Sequence, residues 1–322
     1  MISIIVSIYK NEKNIIPFIK DFNENIRPNI DDYEIIFVDD ASPDDSWNIL
    51  CKLAESDDHI KLIRHSRNFG AVAASYTGLK HASGDCATVR ACDLQEPASV
   101  LLDMFSEWKQ GHKSVIAVRE KRNDSHISSF FSNVYYRLVQ KLVDEKMPTG
   151  GFDTYLIDRV IINKIIELDE KNAPITLQIL WLGFNPRAIY YERMKRDIGK
   201  SSWTLSKKTK LFVDTVVCFS YIPIRLMTLI GLFFSMSSFI WAIYLVIMKI
   251  LNRVDMKGYT SIIVLVMFSA GLIMFTLGIL GEYLWRILDS SRGRPISVVQ
   301  DKINFNKEHE QHPTTDKQYE GI

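Results

Sequence analysis

Acidic side chains stand where apolar, β-branched runs end: Glu12 after Ile2–Ile8, Asp39-Asp40 after Glu34–Val38, and Asp93 just beyond Ala87–Arg90. Carboxylates so placed suit two tasks. They accept hydrogen bonds from a base N–H or ribose hydroxyls, and they hold a divalent cation against a diphosphate, because Mg2+ and Mn2+ take oxygen ligands. The plainer alternative is helix capping, in which an acid faces the positive end of a helix dipole. For Asp44 and Asp45, beside Ser42-Pro43, capping is the better reading. For Asp40 and Asp93 the ligand reading is better, since both follow buried strands at one edge of a sheet. No G-x-G-x-x-G follows the first run, where the residues are Ser7-Ile8-Tyr9-Lys10-Asn11-Glu12, and no Walker A sequence occurs. A nucleotide would therefore be held by side chains.

Those residues require a frame. Candidate strands at Ile2–Ile8, Glu34–Val38, Ile60–Ile63, Ala87–Arg90 and Ser114–Val118 alternate with helix-like stretches near 13–25, 43–55, 71–82 and 97–110. Ser42 is the expected N-cap of the second helix, with Pro43 at its first position. The alternation implies an α/β fold with a mostly parallel sheet, whose ligands bind beyond the carboxyl ends of the strands. From about 125 to 205 the pattern reads as mainly helical, interrupted at Pro148-Thr149-Gly150-Gly151.

Residues 204–224 read as an amphipathic helix at a membrane surface. Leu205, Thr209, Phe212, Val216 and Phe219 recur at helical spacing, and Lys207, Lys208 and Lys210 lie near its start. An ordinary core-packed helix is the alternative. Two uncharged runs follow within 225–285, at about 226–248 and 259–281. Each is long enough to cross a bilayer, which takes about 20 apolar residues. The short loop between them makes a hairpin. Arg225 before it and Arg286, Arg292 and Arg294 after it favour a cytoplasmic head and tail, although Lys249, Arg253 and Lys257 in the loop make the bias modest. Residues 286–322 are read as a cytoplasmic tail, polar and disordered from about Asn304.

The 322 residues suffice for one domain of ordinary size plus an appendage. A net charge of +1 gives no nucleic-acid signature. Cys51, Cys86, Cys92 and Cys218 show no C-x-x-C or zinc spacing and read as free thiols in a reducing compartment.

Val38-Asp39-Asp40-Ala41-Ser42, Arg67-Asn68-Phe69-Gly70, Gly84-Asp85 and Asp93-Leu94-Gln95-Glu96-Pro97, in that order, resemble the family 2 glycosyltransferases. The branch they resemble most is the polyprenyl-phosphate glycosyltransferases, of bactoprenol and dolichyl-phosphate type, from Ile2 to about Pro295. The resemblance implies a glycosyltransferase-A-type, Rossmann-like head over residues 1–203. It implies that Glu12 and Asp40 contact the uridine of a UDP-sugar donor, with Arg67 near the nucleotide. Asp93 would meet the metal or diphosphate, with Gln95 beside it, and Asp153 matches the family's active-site aspartate. Arg196-x-x-Gly199-Lys200-Ser201-Ser202-Trp203 matches a loop that closes near the phosphates. One departure is plain: Ala91-Cys92-Asp93 stands where many relatives carry Asp-x-Asp. An Mg2+ or Mn2+ cofactor would then rest on Asp93, the diphosphate and water.

The implied acceptor, a polyprenyl phosphate, is mostly a dianion at neutral pH and is already a nucleophile, so a strong general base is less needed. Asp93 and Asp153 are the catalytic candidates. Arg119, Arg122, Arg196, Lys200 and Ser201 are candidates for the acceptor phosphate, since cations must offset the repulsion between two anions. For Arg119 and Arg122 a solvated basic loop is an equal alternative. The expected reaction is inverting transfer of a hexose to a lipid such as undecaprenyl phosphate at the inner membrane, for modification of a cell-envelope glycan. A processive or direct-acceptor synthase is the alternative, weakened because Gln178-Ile179-Leu180-Trp181 lacks the arginine of Q-x-x-R-W. A catalytically inactive scaffold is a third. No G-x-x-x-G occurs in the apolar runs, and the oligomeric state stays open, a homo-oligomer included.

Overall fold

The computed structural model describes residues 1–119, 139–140, 147–148, 151–170, 173–194, 215, 222–251 and 258–305. The chain divides into two compact units. One holds Met1–Gln140, Lys146–Ser202 and Ile296–Ile322, and the other Lys141–Glu145 and Trp203–Pro295.

The first unit alternates strands and helices: β1 (Ile2–Ile8), α1 (Glu12–Asp21), β2 (Tyr33–Asp39), α2 (Ser46–Ala54), β3 (Ile60–His65), α3 (Ala71–His81), β4 (Cys86–Ala91), α4 (Ala98–Lys109) and β5 (Ser114–Arg119). Then come β6 (Phe152–Asp158), α5 (Arg159–Leu168), α6 (Ile175–Trp181) and β7 (Arg187–Tyr191). The eight-stranded sheet has the order β7-β5-β6-β4-β1-β2-β3-β8, where β8 is Val299–Ile303. β1, β2, β3 and β4 run parallel, as do β5 and β7, while β6 and β8 run antiparallel to their neighbours. β1 and β2 are covered on both faces and are mainly apolar, and the Ser3 hydroxyl of β1 donates to Glu34 of β2. Phe18 of α1 meets Phe37 of β2 edge to face at 5.9 Å in the core beneath them. Each such fully buried apolar side chain contributes about 1.5–3 kcal/mol.

Three features depart from the sequence reading. First, the stretch expected to be mainly helical contains β6 and β7. β6 carries polar Thr154 buried in mid-strand, and β7 is a short edge strand, so neither shows a clean apolar period. Second, α2 starts at Ser46 with Asp45 as N-cap, and Ser42 does not cap it. Ala41 turns the chain with φ 55°, and the Ser42 hydroxyl accepts instead from Lys10 N at 3.2 Å. Third, the tail returns: Val299–Ile303 pairs with β3 as an edge strand of the head sheet. The head therefore extends beyond residues 1–203.

Among the described residues the second unit contains two long helices, α7 (Ile222–Ile250) and α8 (Tyr259–Ser291). Both are long and apolar enough to cross a membrane by length and composition, over Ile224–Trp241 and Phe268–Ser291. They lie antiparallel, with Phe234 against Phe268 and Met227 against Thr276. Large apolar side chains such as Phe239, Met274 and Ile250 are exposed along them. Of the expected interfacial helix over 204–224, residues 204–214 and 216–221 lie outside the described residues.

Candidate active site

The carboxyl ends of β1, β2, β4, β5 and β7 and the start of antiparallel β6 share one edge of the sheet. Three strands there are each followed by a non-glycine residue at positive φ: Lys10 (57°), Ala41 (55°) and Leu94 (54°). Each such residue costs of order 1 kcal/mol. Strained backbone of this kind clusters at functional sites, where surrounding bonds over-determine it.

Those bonds are visible after β2. Asp40 is buried, and both its oxygens are taken: Oδ1 accepts from His65 Nδ1 and Phe69 N, each at 2.8 Å, and Oδ2 from Gly70 N at 2.7 Å. Burial alone would raise this carboxyl, but the three donors outweigh it and hold it below the usual aspartate range. Asp40 thus shapes the 66–70 backbone. Gly70 sits at φ 96°, a conformation that favours glycine, and opens α3. Asp39 is also buried. Its Oδ1 accepts from Ser42 N at 3.2 Å, while Oδ2 accepts no hydrogen bond and lies 3.5 Å from Arg64 Nε. Burial raises its carboxyl against the opposing pull of Ser42 and Arg64.

Glu12 and Asp44 clasp two helix starts. Asp44 accepts from Glu12 N and from Ser46 N, and Glu12 accepts from Asp45 N at 3.2 Å. The helix dipoles favour both acids there, so Asp44 does the capping read from sequence and Glu12 shares it. The Arg67 guanidinium lies 4.0 Å over the Phe69 ring at the loop surface.

A second cluster surrounds the turn after β4. Asp93 accepts from Gln95 N at 3.3 Å, and Gln95 accepts from Arg193 through its side chain and from Met194 N through its carbonyl. Arg119 at the end of β5 is ion-paired with Asp153 at the start of β6 and reaches the Tyr191 hydroxyl at 3.4 Å. Glu96 accepts from Thr154, and the buried guanidinium of Arg90 donates to the Glu96 carbonyl at 2.8 Å. Burial, followed by the charge of Asp153, pushes the Glu96 carboxyl up to about 7. Burial likewise raises the Tyr191 phenol.

The structure therefore brings Arg119 and Asp153 together and sets Gln95 beside Asp93. Arg122, Arg196, Lys200 and Ser201 lie outside the described residues. Sequence reasoning had no role for Glu96, Tyr191, Arg193 or His65. Glu96 adjoined a noticed motif, whereas Tyr191 and Arg193 follow a strand that carried no clear period. Among the described residues no three His, Cys, Asp or Glu side chains converge as a metal cage. A hard cation can still be held by one carboxylate when substrate oxygens and water complete its shell.

The family described as "Glycosyl transferase family 2" matches residues 3–166. The chain belongs to glycosyl transferase family 2. It is 32% identical over 299 residues to "Uncharacterized glycosyltransferase YkcC" of Bacillus subtilis, covering 92% of this chain and 93% of that one. It is 30% identical over 302 residues to the "Bactoprenol glucosyl transferase" of Shigella phage SfV, covering 94% and 98%. A solved glucosyl-3-phosphoglycerate synthase from Mycobacterium tuberculosis, in complex with Mn2+, UDP and phosphoglyceric acid, is 15% identical with a TM-score of 0.47, over 67% of this chain and 76% of that one. This glycosyltransferase thus carries its strained strand ends, paired arginine and clustered acids at one sheet edge.

Proposed function

We propose that this family 2 glycosyltransferase moves a hexose from a UDP-sugar to a polyprenyl phosphate such as undecaprenyl phosphate, with inversion at the sugar. The observation that carries the reading is the joining of a family 2 head to two helices apolar enough to span a bilayer. A water-soluble donor and a lipid acceptor meet only at a membrane surface, and this chain has parts suited to both. The near full-length match to a bactoprenol glucosyl transferase supports the same acceptor class.

In this reading the base and ribose lie against the ends of β1 and β2, between Glu12, Asp39 and the loop that Asp40 shapes. The diphosphate lies toward Asp93 and Gln95. Asp93 would hold Mg2+ or Mn2+ together with diphosphate oxygens, and such an ion neutralises charge developing on the leaving UDP. Arg119, oriented by Asp153, offers a guanidinium where two anions must approach. The acceptor phosphate needs no proton removed before it attacks the anomeric carbon opposite the UDP. An α-linked donor then gives a β-linked lipid product. The head faces the cytoplasm, where nucleotide-sugars reside.

Membranes containing the protein, supplied with labelled UDP-glucose and a panel of other nucleotide-sugars, undecaprenyl phosphate and Mg2+ or Mn2+, should yield a chloroform-soluble, acid-labile sugar lipid. Asp153→Ala and Asp93→Ala should each lower the rate roughly a hundredfold, the scale of losing one charge-stabilising group at a reacting centre. Normal product from either variant would remove that residue from the site. No lipid product with any donor would end the acceptor assignment.

A further inference from the structure

The segment that returns after α8 does more than lengthen the sheet. Val299–Ile303 pairs with β3, which runs directly into the 66–70 loop, and Val298 O accepts from Ser66 N at 3.0 Å. One residue earlier, Ser297 Oγ lies 2.6 Å from Thr77 Oγ1 on α3. Thr77 has one hydrogen, which serves Ala73 O at 2.9 Å or the ring nitrogen of His65, so in either case Ser297 is the donor between the two hydroxyls. Thr77 Oγ1 in turn lies 3.0 Å from His65 Nε2, and His65 Nδ1 bonds Asp40. Asp40 then receives Phe69 N and Gly70 N. Thr77, His65 and Asp40 are all buried. The ring of Phe69 packs edge-on against His65 at 5.5 Å. Farther along, Asn304 donates to Ala54 O and Ile60 O, and Phe305 packs on His81, which fixes the far end of the segment.

A continuous polar chain therefore runs from the segment that follows the apolar helices to the two amides that define the loop before α3. In a buried setting each member fixes the orientation of the next, and an unmade bond costs more than a made one contributes. We propose that Ser297 is a positioning residue for the donor site: acting through Thr77 and His65, it sets Asp40 and hence the 66–70 backbone against which the nucleotide binds. The part concerning the nucleotide rests on the function proposed above; the part concerning the loop does not.

Two readouts on the full-length protein in detergent separate these parts. The first is hydrogen exchange in the peptide carrying Phe69 and Gly70, with β1 as control. The second is affinity for UDP and UDP-glucose. Ser297→Ala and Thr77→Val should speed exchange at Phe69 and Gly70 while leaving β1 unchanged, and should weaken UDP binding by roughly threefold to tenfold, the effect of one hydrogen bond. Ser297→Thr, which keeps the hydroxyl, should restore both. Unchanged exchange at Phe69 and Gly70 in both deletion variants would overturn the proposal. So would a rise spread equally over β1, which would mark a merely structural role. If the unaltered protein bound neither UDP nor UDP-glucose, the nucleotide reading would fail, and the exchange result would still decide the role of Ser297.

Discussion

Glu96 is held in an unusual state by ordinary causes. Its Oε1 accepts from Thr154, while its buried Oε2 has no hydrogen-bond partner among the described residues. Burial, with the charge of Asp153 added, raises its carboxyl from 4.5 to about 7 in the folded protein. Between those two values the folded protein keeps a proton that the unfolded chain has lost. Stability therefore falls as pH rises through that window and levels off above about 7, by linkage. Each unit of displacement is worth about 1.4 kcal/mol. Glu96→Gln removes the titration, so its thermal midpoint should gain on the parent protein between about pH 5 and about pH 8. Parallel midpoint curves for the two proteins would refute the assignment. At this scale the sequence was legible where a carboxylate ends an apolar run, as at Asp40 and Asp93. It was silent on what each carboxylate binds. Asp40 turns inward to three donors, and only the fold that brings His65, Phe69 and Gly70 to it shows this.

Elements were legible in proportion to their burial. β1 to β5 are flanked by helices or strands that demand apolar residues, and each was read to within a few residues of its observed bounds. β6, β7 and β8 depend on pairing with distant strands, and local pattern does not report distant pairing. The β6 case matters most, because its antiparallel course brings Asp153 to the edge where parallel strands end. Close packing between elements was also invisible in sequence. Gly78 of α3 lies so near β1 that a Cβ there would overlap the Ile5 side chain. Alanine is favoured over glycine in a free helix by about 1 kcal/mol. Overlap in a packed core costs about 1–3 kcal/mol, so the net effect of Gly78→Ala should be loss of stability. Because α3 begins at the 66–70 loop, the variant should also bind UDP more weakly. A thermal midpoint equal to or above that of the parent would show that α3 has room to move.

At the scale of the whole chain, connectivity constrains the membrane. Residues 1–194 and 296–305 contribute to one sheet, because β8 pairs with β3. A sheet cannot pair across a bilayer, so whatever lies between its two parts must cross an even number of times. Among its described residues the intervening chain holds two helices of sufficient length and apolarity, and two crossings satisfy the condition. Even crossing follows from sheet pairing whatever the charge bias, which Lys249, Arg253 and Lys257 made weak in sequence. It predicts the outcome of cysteine labelling in intact cells with a membrane-impermeant maleimide. Lys257→Cys, in the connection between α7 and α8, should be labelled from outside. Lys13→Cys on α1 and Gln300→Cys on β8, both exposed on the head, should react only after lysis. Opposite behaviour of Lys13→Cys and Gln300→Cys would break the even-crossing argument. Labelling of Lys257→Cys only after lysis would show that the two helices do not span, and the head would then need another route to a lipid phosphate.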